Sequence, residues 1–358
     1  MTLRILYGVQ GTGNGHITRA RVMARAFRNR PDIEVDYLFS GRPANKYFDM
    51  DIFGEYQTRQ GLTFFHSEGS IDQIKTLLKA KPLQLMRDIR KLNLEHYDLV
   101  LNDFEPISGW AAKLQRIPSI SISHQAAFEH KVPKAGQSLI VRLIMSYFAP
   151  AQISLGVHWY HFGHSIMPPF IEEQNTAALQ GSHYLVYLPF ESLRDIAGLL
   201  ESLSEHNFIC FHPDLEQDKD EAHILWRRTS KKGFHDALHS CAGVIANGGF
   251  ELSSESLQLG KKLLVKPLHG QFEQLSNAKT LEKLGLCQVM LDLSIDQLEQ
   301  WLALPQNPSV KFPSDPSILV DWLVSRKWHN TETVCNELWK LVEFPETVER
   351  KLASMQSV

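Results

Sequence analysis

Two glycine-rich turns carry residues whose types and spacing could do chemistry. Gly11-Thr12-Gly13-Asn14-Gly15-His16 follows an apolar stretch from Leu3 to Val9 and precedes Ile17, Ala20, Met23, Ala24 and Phe27 at helical spacing. Such a turn lets backbone amides approach an anion or a sugar closely, which makes Gly13 and Gly15 candidate cleft residues. Histidine is the side chain suited to moving protons near neutrality, so His16 at the end of the turn is a candidate general base. The second turn, Asn247-Gly248-Gly249, opens Phe250-Glu251-Leu252-Ser253-Ser254-Glu255 after the strand-like Val244 to Ala246. A strand running into Gly-Gly at a helix N-terminus offers free amides and a positive dipole end, which suit a diphosphate. Asp103, in Asp103-Phe104-Glu105-Pro106, and His124, in Ser123-His124-Gln125, each follow an apolar stretch, where a cleft-facing loop is expected. Either could be the base. Asp103 could instead orient an imidazole, or simply cap a helix as polar residues after strands do.

Other local patterns are weaker. The first turn lacks the third glycine of a dinucleotide fingerprint, because His16 stands there, and the second strand ends in Ser40-Gly41-Arg42 without a ribose-binding acid; this argues against an oxidoreductase. His235-Asp236-Ala237-Leu238-His239 imitates a zinc helix, but aspartate is shorter than the required base and no third ligand is evident, so two helix-surface histidines are expected. His158, His161 and His164 alternate with aromatic residues and read as packing or acceptor contacts rather than metal ligands. Asp218-Lys219-Asp220 lies among solvated charges and reads as a surface loop.

These residues must be positioned by alternating strands and helices. Strands are expected at Leu3 to Val9, Val35 to Phe39, Leu99 to Leu101 and Ser119 to Ile122, with helical stretches between them, which implies a parallel sheet covered on both faces. The alternation restarts after Pro168-Pro169 and the polar stretch Glu172 to Ser182: strands at Tyr184 to Leu188, Phe208 to Phe211, Val244 to Ala246 and Leu263 to Val265, separated by helices. The expected organisation is an α/β chain with a first domain at 1–170, a linker at 171–182, a second domain at 183–330 and a C-terminal helical segment at 331–358 packing back on the first domain. A length of 358 residues, 43% apolar and 22% charged, suits two globular domains. The net charge of −3 gives no field for a long polyanion, so nucleic acid is not an expected partner. Four cysteines without a C-x-x-C pair read as buried thiols of a cytoplasmic protein, and no signal-peptide pattern opens the chain.

The block from Gly248 onward resembles the donor-binding region of GT-B glycosyltransferases, among them the lipid-linked N-acetylglucosaminyltransferase of peptidoglycan synthesis and the UDP-glucuronosyltransferases. In that superfamily a glutamate six residues after a glycine binds ribose hydroxyls, the spacing of Gly249 and Glu255; Gly260, Pro267, Glu273-Gln274 and Asn277-Ala278 follow as in the family. The N-terminal turn ending in His16 and the Ser123-His124-Gln125 segment resemble the peptidoglycan enzyme's loops. DFEP, SHQ, GVHWYHF, PPF and the long C-terminal block, in this order, resemble a largely uncharacterised prokaryotic group of these transferases. The resemblance implies two Rossmann-like domains with parallel sheets facing a central cleft, a nucleotide sugar, first choice UDP, held by the second domain, and an acceptor held by the first. Glu273 and Gln274 would contact the donor sugar. Leu252 and Asn247 stand where the family often has a hydroxyl residue and a histidine, so phosphate contacts fall to backbone amides, Asn247 or Ser253. Glu105 and Gln125 belong to the acceptor side of the cleft.

The implied reaction is inverting transfer to a hydroxyl by a base on the first domain, with neither metal nor cofactor required. A sugar-nucleotide 2-epimerase on the same fold, or a noncatalytic nucleotide-sugar binding protein, are the alternatives. The acceptor is a glycan, lipid-linked or small molecule. Residues 139–149 are apolar nearly all round and are expected in the core; the alternative is a peripheral contact with the inner face of the cell membrane, with Lys131, Lys134 and Arg142 on lipid headgroups.

Overall fold

The computed structural model describes residues 2–61, 66–67, 70–71, 82–171 and 181–356; apart from its ends, the expected linker at 171–182 lies outside the described residues. The first half contains β1 (Leu3–Gln10), α1 (Asn14–Arg28), β2 (Ile33–Ser40), β3 (Tyr56–Arg59), the paired two-residue strands β4 (His66–Ser67) and β5 (Ser70–Ile71), and α2 (Pro82–Lys91). It continues with β6 (Leu99–Asp103), α3 (Pro106–Gln115), β7 (Ser119–Ser123), α4 (His124–Ala127), α5 (Leu139–Tyr147), β8 (Ile153–Val157) and β9 (Ile166–Met167). Seven of the strands form one sheet in the order β3-β2-β1-β6-β7-β8-β9, and every pairing in it is parallel. Strands buried on both faces need apolar or small residues along most of their length, and β1, β6 and β7 have them, with buried polar residues at the carboxyl ends of β1 (Gln10) and β6 (Asn102 and Asp103).

The second half runs β10 (His183–Tyr187), α6 (Leu193–Leu200), β11 (Asn207–His212), β12 (Lys219–Glu221), β13 (Ile224–Arg228), α7 (Lys231–Ser240), β14 (Gly243–Ala246), α8 (Phe250–Gln258), β15 (Lys262–Val265), α9 (Phe272–Leu284), β16 (Gln288–Val289) and α10 (Ile295–Leu302). Its sheet has the order β12-β13-β11-β10-β14-β15-β16, antiparallel only at β12–β13. Strand order reverses between β10 and β14, and in such sheets the crevice outside the carboxyl ends at that point is where ligands bind. The Asn247-Gly248-Gly249 turn leaves β14 there.

The tail, α11 (Ser317–Val324), α12 (Thr331–Trp339) and α13 (Glu346–Gln356), returns to the first half. Arg30 bonds Asp321, Arg326 Nη2 reaches Asp98 Oδ2 at 3.0 Å, and Trp339 Nε1 donates to the Ile166 carbonyl at 2.6 Å. One buried apolar cluster takes in Leu3, Ile5 and Tyr7 of β1, Leu263 and Val265 of β15, and Leu319 and Leu338 of the tail.

Two expectations need correction. Helix α5 is not in the core: Val141 and Met145 rest on a small cluster around Phe128, Val132 and Phe272, while Leu143 and Tyr147 are each 59% exposed. The reason is its location in the crossover between β7 and β8, where only one of its faces meets apolar side chains. Asp218-Lys219-Asp220 is not wholly a loop: Lys219 and Asp220 open the exposed edge strand β12 and Asp218 precedes it, with Asp220–Arg227 and Asp218–Arg228 pairs holding the segment. All four cysteines are buried free thiols.

Candidate functional site

The carboxyl end of β1 delivers the first glycine turn. Gly13 occupies the N-cap of α1 in an extended conformation with no side-chain cap, so the first amides of the helix have no intrahelical acceptor. A Cβ at Gly11 would fall 2.3 Å from the Tyr47 hydroxyl and 2.9 Å from the Ser40 carbonyl oxygen, so a larger residue there would have to displace its neighbours. Its backbone is pinned by the amide bond to the Ser40 carbonyl and by Arg42, whose Nε donates to the Gly11 carbonyl.

His16, on the first turn of α1, places Nδ1 2.7 Å from Oδ1 of Asp103, the last residue of β6. Asp103 is fully buried, and its other oxygen accepts from Arg19 Nε at 2.9 Å. Burial pushes this carboxyl up, but the Arg19 and His16 charges and hydrogen bonds outweigh burial and hold it below the usual carboxylate range. With Nδ1–H donating to a carboxylate, the ring's lone pair sits on Nε2, the arrangement a general base requires. The His16 side chain retains 14% exposure. Of the three sequence candidates, the fold therefore brings His16 and Asp103 together.

His124 lies in a different set of contacts. It is 1% exposed, with Nδ1 2.8 Å from the Val157 carbonyl and Nε2 2.7 Å from Asn277 Oδ1, and its ring stacks on Phe250 with centroids 4.0 Å apart. Burial lowers its affinity for a proton. Both nitrogens are thus engaged, Nδ1 within the first half and Nε2 across to the second. Asn277 in turn donates from Nδ2 to the Gly248 carbonyl at 3.0 Å, and Trp159 Nε1 donates to Ser254 Oγ at 2.8 Å. His158, fully buried, has its ring centroid 5.0 Å from that of His124.

Glu105 is fully buried and its carboxylate caps α3, accepting from the amides of Ile107 and Ser108 and from Ser40 Oγ. Beneath it, Gly8 leaves the space a side chain would need: a Cβ would land 1.9 Å from Ser108 Oγ. Gln125 donates from Nε2 to Glu273 Oε2 at 3.0 Å, so a residue expected on the acceptor side meets one expected on the donor side.

On the donor side, Gly248 has φ +76, and a Cβ on it would approach Val265 Cγ1 to 2.8 Å. Both constraints require glycine. Gly249 is the N-cap of α8, again without a side-chain cap. Asn247 uses Nδ2 to brace the turn on the Lys266 carbonyl at 2.8 Å, while its Oδ1 and the buried Ser253 Oγ have no hydrogen-bond partner. Buried polar atoms are seldom left unpaired, and two of them beside an uncapped helix N-terminus mark a place for a polar ligand. Glu255 is half-buried further along α8. Gln274 accepts from the Leu268 amide at 2.9 Å, fixing the loop between β15 and α9. Among the described residues no group of three or more His, Cys, Asp or Glu side chains is placed to hold a metal ion. His235 is exposed and stacks on His239, which is buried at 8% and not on the helix surface as expected.

Two residues that sequence reasoning passed over join the two turns. Arg19, 5% exposed, places Nη1 3.0 Å from Oε1 of Glu251, in the first turn of α8. Arg19 lies three residues after His16, one helical turn along the same face, which was the available signal.

The sequence profile of glycosyl transferase family 1 matches residues 3–305. No curated protein is similar enough in sequence to be matched to the chain. Among solved structures, a protein described as LpCGTa in complex with UDP is 14% identical, with TM-score 0.60 over 100% of this chain and 99% of that one. The glycosyltransferase SnogD from Streptomyces nogalater is 15% identical, with TM-score 0.54 and full coverage of both chains. MurG of Acinetobacter baumannii is 15% identical, with TM-score 0.51 over 95% of this chain and 100% of that one. At these identities the likeness is one of fold, two Rossmann-like halves in the GT-B arrangement.

Proposed function

Because the chain belongs to glycosyl transferase family 1 and is a glycosyltransferase, we propose that it moves a sugar from a nucleoside diphosphate sugar, UDP first, to an acceptor hydroxyl with inversion and without a metal ion. The observation that carries this is the 2.7 Å contact between His16 and Asp103. His16 Nε2 takes the acceptor proton as the hydroxyl oxygen attacks the anomeric carbon, and buried, anionic Asp103 stabilises the imidazolium that forms. The bond from the sugar to the diphosphate breaks in the same displacement. Charge growing on the leaving diphosphate meets the uncapped amides of α8 at Gly249, with Asn247 Oδ1 and Ser253 Oγ available as further polar contacts. Glu255 binds the ribose, and Glu273 and Gln274 the sugar. In this reading residues 1–170 serve the acceptor and 183–330 the donor, joined through 171–182, with 331–358 bracing the first.

A thermal-shift panel with UDP, GDP, dTDP and their sugars tests the donor assignment. A ligand at 100 times its dissociation constant adds about 2.7 kcal/mol of stability. UDP should raise the melting temperature most; a panel in which no nucleoside diphosphate moves it would remove the donor site from this account.

For the acceptor, the exposed Leu143 and Tyr147 of α5, with exposed Lys131 and Lys279 nearby, support docking on an anionic lipid surface and hence a lipid-linked acceptor of a cell-envelope glycan. No helix among the described residues is long and apolar enough to cross a membrane. Co-sedimentation with vesicles containing phosphatidylglycerol, at low and moderate salt, should show salt-sensitive binding that Leu143→Ser weakens. Absence of binding at either salt would leave a soluble acceptor.

A further inference from the structure

Arg19 stands where the two halves meet and touches a carboxylate from each. Its Nε donates to Asp103 Oδ2 at 2.9 Å, and its Nη1 lies 3.0 Å from Glu251 Oε1. Asp103 is on β6 beside the base; Glu251 is on the first turn of α8, the helix whose N-terminus faces the crevice. The approach needs a gap in α1. Gly15 supplies it, since a Cβ there would fall 2.8 Å from Glu251 Cγ. Burial raises the Glu251 carboxyl above its ordinary value, with the Arg19 charge opposing the rise. A carboxylate in the first turn of α8 would also compete with a diphosphate for the same helix N-terminus, unless a cation draws it away.

We infer that Arg19 is a cross-cleft positioning residue, which fixes Asp103 behind His16 and, through Glu251, ties the base to the helix that receives the leaving diphosphate. The inference rests on the proposed roles of His16 and α8. A guanidinium can do this because its planar fork addresses two carboxylates at once; an ammonium keeps the charge but not the fork. When α8 moves away, Glu251 leaves Arg19, and Arg19 loses one of the two carboxylates that hold it in place behind Asp103. Base and diphosphate site are therefore assembled together.

The distinguishing signature is a split between binding and turnover. Glu251→Gln removes an anion from the helix N-terminus, so UDP should bind about threefold tighter, while release of UDP from UDP-glucose or UDP-N-acetylglucosamine slows about tenfold. Arg19→Lys should leave UDP affinity within about twofold and slow turnover at least about tenfold. Gly15→Ala favours the helix intrinsically, yet should reproduce the slow turnover by displacing Glu251. Calorimetric titration with UDP and a UDP-release assay on the full chain read all three. Weaker UDP binding by Glu251→Gln, or unchanged turnover in Glu251→Gln and Gly15→Ala, overturns the inference. Failure of the underlying reading looks different: the unsubstituted protein then binds no UDP, or His16→Ala keeps its turnover.

Discussion

Asp103 carries two loads at once, alignment of His16 and neutralisation of buried Arg19. Asp103→Asn keeps the shape but gives up the charge, so turnover should fall about 100-fold or more while UDP affinity stays within about twofold. Leaving a buried guanidinium short of one partner should also cost about 3 kcal/mol of stability. Because the Asp103 carboxyl titrates lower in the folded chain, its contribution to stability is present above the ordinary carboxylate value of about 3.9 and is lost as pH falls through the folded one. Chemical denaturation at pH 7 and at pH 3 should therefore separate the protein from its Asp103→Asn variant at the first pH and show a smaller gap at the second. His16 and Asp103 were each visible in the sequence as candidates, and Asp103 also as a partner for an imidazole, but which imidazole was not legible. They are 87 residues apart, and only the parallel register of β1 with β6 sets one beside the other. Glu105 was misplaced for the same reason: nothing local says that its carboxylate turns inward to cap α3 instead of lining a cleft.

At the scale of elements, period and punctuation located β1, β2, β6, β7, β10, β11, β14 and β15, because long runs of buried residues bounded by glycine turns leave little choice. Strand β8 escaped because Ile153-Ser154-Leu155-Gly156-Val157 mixes small and apolar residues; Gly156 is there so that Ala127 can pass, a Cβ falling 2.5 Å from its Cα. Strands β3, β9, β12 and β16 are short or lie at edges, where pairing partners decide. Lys261, just before β15, and Lys262, its first residue, look solvent-facing in sequence but are buried, because they finish helices. Lys261 Nζ donates to the carbonyls of His239 and Cys241 at the end of α7, and Lys262 Nζ to those of Trp301, Leu302 and Leu304 at the end of α10. Helix ends leave carbonyls without intrahelical donors, and a buried ammonium satisfies several together. Lys262→Met preserves the aliphatic bulk and strands three carbonyls, so urea unfolding should report a loss of about 2 kcal/mol; a loss below about 0.5 kcal/mol would mean that water replaces the ammonium.

For the molecule as a whole, the contact between the halves is aromatic and contains two buried histidines. His124 and His158 are both held below the ordinary histidine range, His124 chiefly by burial and His158 by burial and then by its neighbour His124. A base that is harder to protonate when folded adds stability above its unfolded value, about 6.5, and that stability is lost as pH falls below it. Each such histidine steepens the acid loss by up to about 1.4 kcal/mol per pH unit. The melting temperature should therefore fall between pH 6.5 and 5, and His158→Gln should make the fall shallower. An unchanged slope would show that the contact opens before the rest of the chain unfolds.

Division of labour between the halves is the central claim, and one paired measurement addresses it most directly. UDP affinity by calorimetry and turnover by UDP release are to be compared for the unsubstituted chain, His16→Ala and Glu255→Ala. His16→Ala should bind UDP within about twofold of the unsubstituted chain and lose about 100-fold or more in turnover, whereas Glu255→Ala should lose affinity first. Full turnover in His16→Ala, or undiminished UDP binding in Glu255→Ala, would contradict the account.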